Sequence, residues 1–280
     1  MPRWRFDAIG TAWEIETDVE LSASQREAVT RVIAHFDQTW SRFRADSQVS
    51  LLRSGGSVPV PPGADAMLSA MIELNSATSG AVSPLIGGGL EALGYDPDLT
   101  LRPRIPQPAP VASILSWDAQ NLALAEPAVI DVGALGKGRL VDLVMAELTG
   151  IRGRVIVDAS GDLRVRGGAA RVALEHPYDA TRAIGVVEVA DAALCASATN
   201  RRAWGSGLHH VLDGRTGLPV REWAATWALA EETMRADAVA TALFFDGGVE
   251  LAARWGVEWV RMATDGRVER SAGFDGELFV

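Results

Sequence analysis

Apolar and polar positions change period several times along the chain, and each change predicts an element. Residues 5–20 carry Trp13, Ile15 and Val19 near alternating polar positions, which predicts a strand pair interrupted at Gly10. From Ser24 to Phe43 the spacing becomes helical, through Ala28, Val32, Ile33, Phe36 and Trp40. Ser24 followed by Glu27 has the form of a capping box at its start. A second helix is predicted over 64–77, and the glycine-rich apolar stretch 80–94 reads as a packed loop. Residues 101–112 hold four prolines and read as an exposed loop. Strands are expected around 119–125 and 127–132, then a helix over 137–148. Further strands are expected near 153–158, 162–166, 171–175, 184–190 and 208–212. Helices over 233–245 and 249–255 lead into a hairpin near 257–270 that turns at Asp265-Gly266. Strands and helices mix without regular βαβ alternation, so the expected class is α+β with largely antiparallel strands. The 280 residues suit one domain over 1–280, or two intimately packed lobes.

Composition narrows the partners. Hydrophobic residues make up 48% and charged residues 22%, enough for a large core. A net charge of −10 argues against nucleic acid, whose phosphates are held by clustered Lys and Arg. The N-terminus MPRWRFDAIG lacks the apolar run of a signal peptide and no segment has the length of a membrane span, so the expectation is a cytoplasmic chain with no membrane span. The lone Cys195 lies between Leu194 and Ala196 and reads as a small buried residue. The 26 basic residues are 25 Arg and a single Lys, Lys137, which stands between two glycines.

Three constellations could carry chemistry. The first is Asp131-Val-Gly-Ala-Leu-Gly-Lys-Gly138, read as a strand-to-helix junction. Glycines admit backbone N–H groups to phosphate, the helix N-terminus adds positive potential, and Lys137 adds a full charge. It is neither a Walker A loop nor a dinucleotide fingerprint, and on spacing alone an ordinary tight turn fits equally well. The second pairs Asp237 and Thr241, four apart on one helix face, a carboxylate and a hydroxyl suited to a hard cation such as Mg²⁺. A surface Asp and a Thr bonded to its own helix fit the same spacing. The third is His209-His210 ahead of the turn Asp213-Gly-Arg-Thr-Gly217. Strand alternation directs the two imidazoles to opposite faces, so one at most serves a given site, as a base or a hydrogen-bonding partner.

In this order the segments resemble the FAD:protein FMN transferases, the ApbE-type flavin transferase family. Ile9-Gly-Thr11 is similar to its Met-Gly-Thr, and Ser41 to Ser47 to its Ser-x-Tyr/Phe-Arg-x-x-Ser segment. Thr78-Ser-Gly80-Ala81 is similar to the start of its Thr-x-Gly-Ala-Phe-Asp-Pro loop. Asp131 to Gly138 is similar to its Asp-Leu-Gly-Gly-Ile-Ala-Lys-Gly signature, and Asp158 to Gly167 to its Asn-x-Gly-Gly-Asp-Ile segment. His210 to Pro219 and Ala236 to Ala242 complete the series. The resemblance implies an ApbE-like fold, related to the T-fold, with helices around a flavin-binding cleft. It implies Mg²⁺-dependent transfer of FMN from FAD to a Ser or Thr of an acceptor protein, with release of AMP. Two alternatives stay open: FAD hydrolysis to FMN and AMP, and FAD binding without turnover. By the same resemblance Asp131 and Lys137 would contact FAD, as would Ile9, Ala81, Val82 and Ser83. Phe43 would stack on the isoalloxazine ring. Ala134 through its carbonyl, Asp237 and Thr241 would hold Mg²⁺, and His210 would help deprotonate the acceptor hydroxyl beside a catalytic Asp237. Val82-Ser83 departs from the family's Phe-Asp, which removes one flavin-contacting carboxylate, and Gly214 replaces the Pro after Asp213.

Overall fold

Strand β1 (Arg3–Ala8) pairs antiparallel with β2 (Thr11–Thr17), and Ala8 faces Thr11 across a two-residue turn. Both turn residues are left-handed, Ile9 at φ 46° and Gly10 at φ 71°, the geometry that suits the right-handed twist of a hairpin. A β-branched residue is unusual there, and Ile9 packs its side chain onto the main core. The coordinates are a computed structural model and describe residues 1–205 and 207–279.

The first helix, α1 (Ala23–Trp40), begins two residues earlier than the Ser24–Glu27 pattern indicates. Ser22 is its cap, accepting from the Gln25 N–H, while Gln25 accepts from the Ser22 N–H. The box is therefore Ser22/Gln25, because Gln supplies the same acceptor as Glu. Then come α2 (Gln48–Leu51), β3 (Gly56–Pro59) and α3 (Ala64–Ala77), the last matching the predicted range. The stretch 80–94 is not all loop: α4 (Gly87–Ala92) forms within it. Strands β4 (Leu115–Trp117) and β5 (Asn121–Leu124) join β3 in a small sheet. No strand forms over 127–132. Pro127 breaks the run, and the Asp131 N–H goes instead to the Pro84 carbonyl, 2.8 Å away.

The segment enters α5 (Gly136–Glu147), followed by β6 (Val155–Asp158), β7 (Asp162–Arg166), β8 (Ala169–His176), β9 (Asp179–Ala190) and β10 (Ala193–Ala198). Two short ribbons, β11 (Ala203–Trp204) with β12 (Leu208–His209) and β13 (Leu212–Asp213) with β14 (Leu218–Pro219), replace the single strand expected over 208–212. The chain closes with β15 (Trp223–Ala230), α6 (Thr233–Ala242), α7 (Gly248–Trp255), β16 (Glu258–Ala263), β17 (Val268–Arg270) and β18 (Gly276–Leu278).

Eight strands form the main sheet in the order β1-β2-β6-β7-β10-β15-β16-β17, and every pairing described is antiparallel. Its two faces are covered differently. Leu194 of β10 and Trp227 of β15 point toward β8 and β9, packing with Leu174, Val187 and Val189. Their neighbours Cys195 and Ala228 point the other way, onto Ala236, Val239 and Ala240 of α6. Alanines on both sides let α6 lie close on the sheet, and that approach sets the depth of the site. The fold is α+β and largely antiparallel, as the irregular order of elements predicts. Among the described residues no helix is long and apolar enough to cross a membrane.

Candidate active site

Helices α5 and α6 meet where Gly138 faces Thr233 and Asp237. A Cβ at Gly138 would lie 2.5 Å from the Thr233 carbonyl oxygen and 2.7 Å from Asp237 Cβ, so only glycine lets the helices touch here. The Gly138 N–H, an unpaired donor of the first helical turn, donates to Asp237 Oδ2 at 2.8 Å. Asp142, one turn further along α5, accepts from the Thr233 and Met234 N–H groups at 3.0 and 2.9 Å and also pairs with Arg164. Asp142 thus caps α6 from the neighbouring helix and fixes which residues of α6 face α5.

Lys137 stands beside this contact. Its Nζ donates to the Ala159 carbonyl at 3.2 Å and lies 3.0 Å from Asp162 Oδ2. That approach is an ion pair off the line of a hydrogen bond, and both buried Asp162 oxygens lack a donor. Lys137 thus pairs with the buried Asp162, and the charge of the buried Asp237 also acts on it. Burial opposes the charge on Lys137, but Asp162 and then Asp237 hold its pKa above the usual lysine value. For Asp237, burial and the charge of Asp162 push the carboxyl well above the usual range, against the pull of Lys137 and the Gly138 N–H. Burial likewise raises Asp158 at the end of β6. Cys195 is the satisfied core thiol that its neighbours predict: its Sγ approaches the Thr233 carbonyl at 3.5 Å, and burial lifts its pKa well above that of a free thiol.

The two histidines separate, though not by strand alternation, since β12 ends at His209 and His210 sits at a bend. His209 is buried, with Nε2 2.9 Å from the Val220 carbonyl. His210 is half-buried with an unpartnered, buried Nδ1, and burial followed by the charge of Arg202 lowers its pKa to about 3. Its imidazole is neutral near pH 7, and Lys137 is among the charges that act on it.

Asp131 lies in the turn before α5. Its carboxylate accepts from Arg42 Nε at 2.6 Å and from the Gly133 N–H at 2.7 Å. Ala134 is half-buried in the same turn, and Thr241 is half-buried one helical turn beyond Asp237. Phe43 is 38% exposed and meets Tyr95 edge-on at 5.4 Å, and Tyr95 stacks on Trp204 at 5.5 Å. Ala81, Val82 and Ser83 are all buried, with Ser83 Oγ accepting from the Leu85 N–H, so this loop presents no carboxylate. The Gly214 N–H donates to the Ala81 carbonyl at 2.7 Å, a bond that proline could not make. Ile9, at the β1–β2 turn, has no contact with these groups among the interactions described.

Sequence reasoning passed over Asp162, Asp142 and Arg42. Asp162 falls within a quoted motif and needed only a role. Arg42 also falls in a quoted segment and Asp142 continues another, but they act on residues 89 and 91 positions away, so local pattern gives them no role.

Comparison with known proteins points the same way. The ApbE family profile matches residues 9–260. The FAD:protein FMN transferase of Rhodobacter capsulatus is 31% identical over 303 residues, an alignment covering 98% of this chain and 56% of that relative. This chain therefore spans about half of that protein's length. The Haemophilus influenzae FAD:protein FMN transferase is 26% identical, over 81% of this chain and 73% of its own. Among solved structures, the ApbE protein of Thermotoga maritima superposes with a TM-score of 0.84 at 21% identity, covering 97% of each chain. The Pseudomonas stutzeri flavinyl transferase ApbE gives 0.79 at 21%, covering 97% of this chain and 95% of its own. The fold matches theirs throughout, and the chain belongs to the ApbE family.

Proposed function

We propose that the chain transfers FMN from FAD to a Ser or Thr hydroxyl of a partner protein, with a divalent cation, Mg²⁺ in the first instance, at Asp237. The observation that carries this reading is a helix junction with two buried carboxylates, Asp162 and Asp237, where Lys137 is ion-paired to Asp162 alone. Such a centre is short of positive charge, and a cation corrects the deficit. Among the described residues no three His, Cys, Asp or Glu side chains converge on a metal site. Mg²⁺ is commonly held by one or two carboxylates with substrate phosphate completing its shell. Asp237, Thr241 and the Ala134 carbonyl would hold it. When bound it would neutralise charge on the FAD diphosphate.

The residues divide the remaining work. The acceptor oxygen attacks the FMN phosphorus, the bond from that phosphorus to the bridging oxygen breaks, and AMP leaves with the bridging oxygen. Lys137 and the N–H groups opening α5 place positive potential where charge accumulates. His210, neutral with a free nitrogen, takes the proton of the acceptor hydroxyl. Phe43 offers a ring face to the flavin. Asp131 is already held by Arg42, so it shapes the turn that meets FAD. FAD binding without turnover is the second reading, favoured by the loss of a carboxylate at Val82-Ser83.

The test is incubation of the purified chain with FAD and MgCl₂, alone and with candidate acceptors. Flavin covalently attached to an acceptor, with AMP released in equal amount, is the expected result. AMP release without an acceptor would establish hydrolysis instead, and no flavin quenching at high FAD would overturn both readings.

A further inference from the structure

Arg42 occupies the variable position of the Ser-x-Phe segment, yet it is one of the most enclosed charged groups in the molecule. Its side chain is 2% exposed. The guanidinium donates through Nε to Asp131 Oδ2 at 2.6 Å and through Nη1 to the Tyr95 carbonyl at 2.9 Å. Glu91 Oε1 lies 3.6 Å from Nη1, while Nη2 is buried with no hydrogen-bond partner. The same group sits 4.1 Å from the centre of the Phe43 ring and 5.2 Å from that of Tyr95. Arg53 braces it by donating to the Arg42 carbonyl at 2.9 Å while forking onto Glu91 at 3.0 and 2.6 Å.

A buried cation is costly, and one with an unmet donor is more so. One carboxylate would compensate its charge. With its further contacts the guanidinium ties the loop bearing Phe43, which follows α1, to the turn bearing Asp131, which precedes α5, adding a polar link to the packing of those helices. We propose that Arg42 is a positioning residue for the flavin, fixing the Phe43 ring to the Asp131 turn so that the two halves of FAD meet one rigid surface. Lysine does not replace it, because a compact ammonium lacks the planar fork that reaches Asp131 and the Tyr95 carbonyl from separate nitrogens and cannot lie flat against a ring. This inference rests on the FAD reading given above.

Binding is measured with two probes: FAD, and ADP, which shares the diphosphate but lacks the flavin. Arg42→Lys is expected to weaken FAD by about tenfold and ADP by less than about twofold. The visible spectrum of bound flavin should shift toward that of free FAD. Phe43→Leu, at an exposed ring, should give the same pattern, and the double variant should lose little more than either single change. Glu91→Gln loosens the Arg42–Arg53 cluster but spares the Asp131 contact, so its melting temperature should fall with FAD affinity unchanged. If Arg42→Lys fails to fold, Arg42→Gln, which keeps one N–H for Asp131, takes its place with the same expectation. Unchanged FAD affinity and spectrum in a folded Arg42 variant would overturn the proposal. So would equal losses for FAD and ADP, or a Glu91→Gln variant that matches Arg42→Lys. If the unaltered chain binds ADP but not FAD, or binds neither, the FAD reading itself fails and this proposal falls with it.

Discussion

The charged centre and the aromatic rim of the site are built on different principles. Lys137, Asp162 and Asp237 stand on α5, β7 and α6, elements whose backbones are fixed by their own hydrogen bonds and by close alanine and glycine packing. Phe43, Tyr95, Trp204 and His210 stand on loops and short ribbons held by side-chain contacts: an edge-on ring, a stack, and the Trp204 Nε1 donating to the Leu93 carbonyl at 2.9 Å. The centre tolerates electrostatic imbalance because its geometry cannot relax. The rim takes its order from side-chain contacts instead, with the buried Arg42 beneath Phe43 and Tyr95. Chemistry that needs atoms held within a fraction of an ångström belongs on the first, and recognition of ring and acceptor on the second.

The contrast can be broken most sharply at Asp237. Asp237→Asn keeps an acceptor for the Gly138 N–H but removes the charge, so turnover should fall by on the order of 10²–10³ while the melting temperature barely moves. Thr241→Ala should lose less, with excess Mg²⁺ restoring part of it, since water replaces a neutral ligand. Activity of Asp237→Asn near that of the parent, with unchanged Mg²⁺ dependence, would remove the metal from this position.

Next in size is Lys137→Met, which strands Asp162 without its cation and should cost about 3 kcal/mol in denaturant unfolding. Adding Asp162→Asn should return most of that stability but none of the activity, separating the structural part of the pair from the chemical part. If the double variant is as unstable as the single, the buried charge is not what matters.

On the rim, His210 has a folded pKa of about 3 against an ordinary 6.5. Between those values the unfolded chain binds the extra proton, so His210 contributes stability above pH 6.5 that is lost as pH falls toward 3. The slope is at most about 1.4 kcal/mol per pH unit. Unfolding curves of His210→Gln at pH 4, 5 and 7 should show a shallower acid decline than the parent, and parallel declines would refute this. The smallest effect is expected at Cys195. Cys195→Ala should cost about 1 kcal/mol and leave activity within about twofold, and the native thiol should resist alkylation.

Much of the charged centre was legible because its residues fall in short local patterns: Asp131 to Gly138 opening a helix, Asp237 and Thr241 one turn apart. The strands that carry it were less so. β10 (ALCASA) and β15 (WAATWALA) lie mid-sheet and went unpredicted, since alanine has low strand propensity and close packing against α6, not local preference, makes them strands. Three faults share one cause. The 127–132 strand, the single strand at 208–212 and the Ser24 cap were each read from local pattern. Each was overridden by a partner elsewhere or by an equally good acceptor nearby. Arg42 and Asp142 fall within or beside such patterns, but their roles were not legible there, because their work is done between segments some 90 residues apart.

Lysine scarcity has a practical consequence. An endoprotease that cuts only after lysine finds one bond in these 280 residues, Lys137–Gly138, and yields fragments 1–137 and 138–280. In the native molecule that bond lies in the first turn of α5, with Gly138 buried against α6. Cleavage must wait until the two helices part, locally or by global unfolding, so the digestion rate reads the opening of this junction. Any compound that binds across the junction will slow the cut in proportion to its occupancy, whether or not an acceptor for the reaction is in hand.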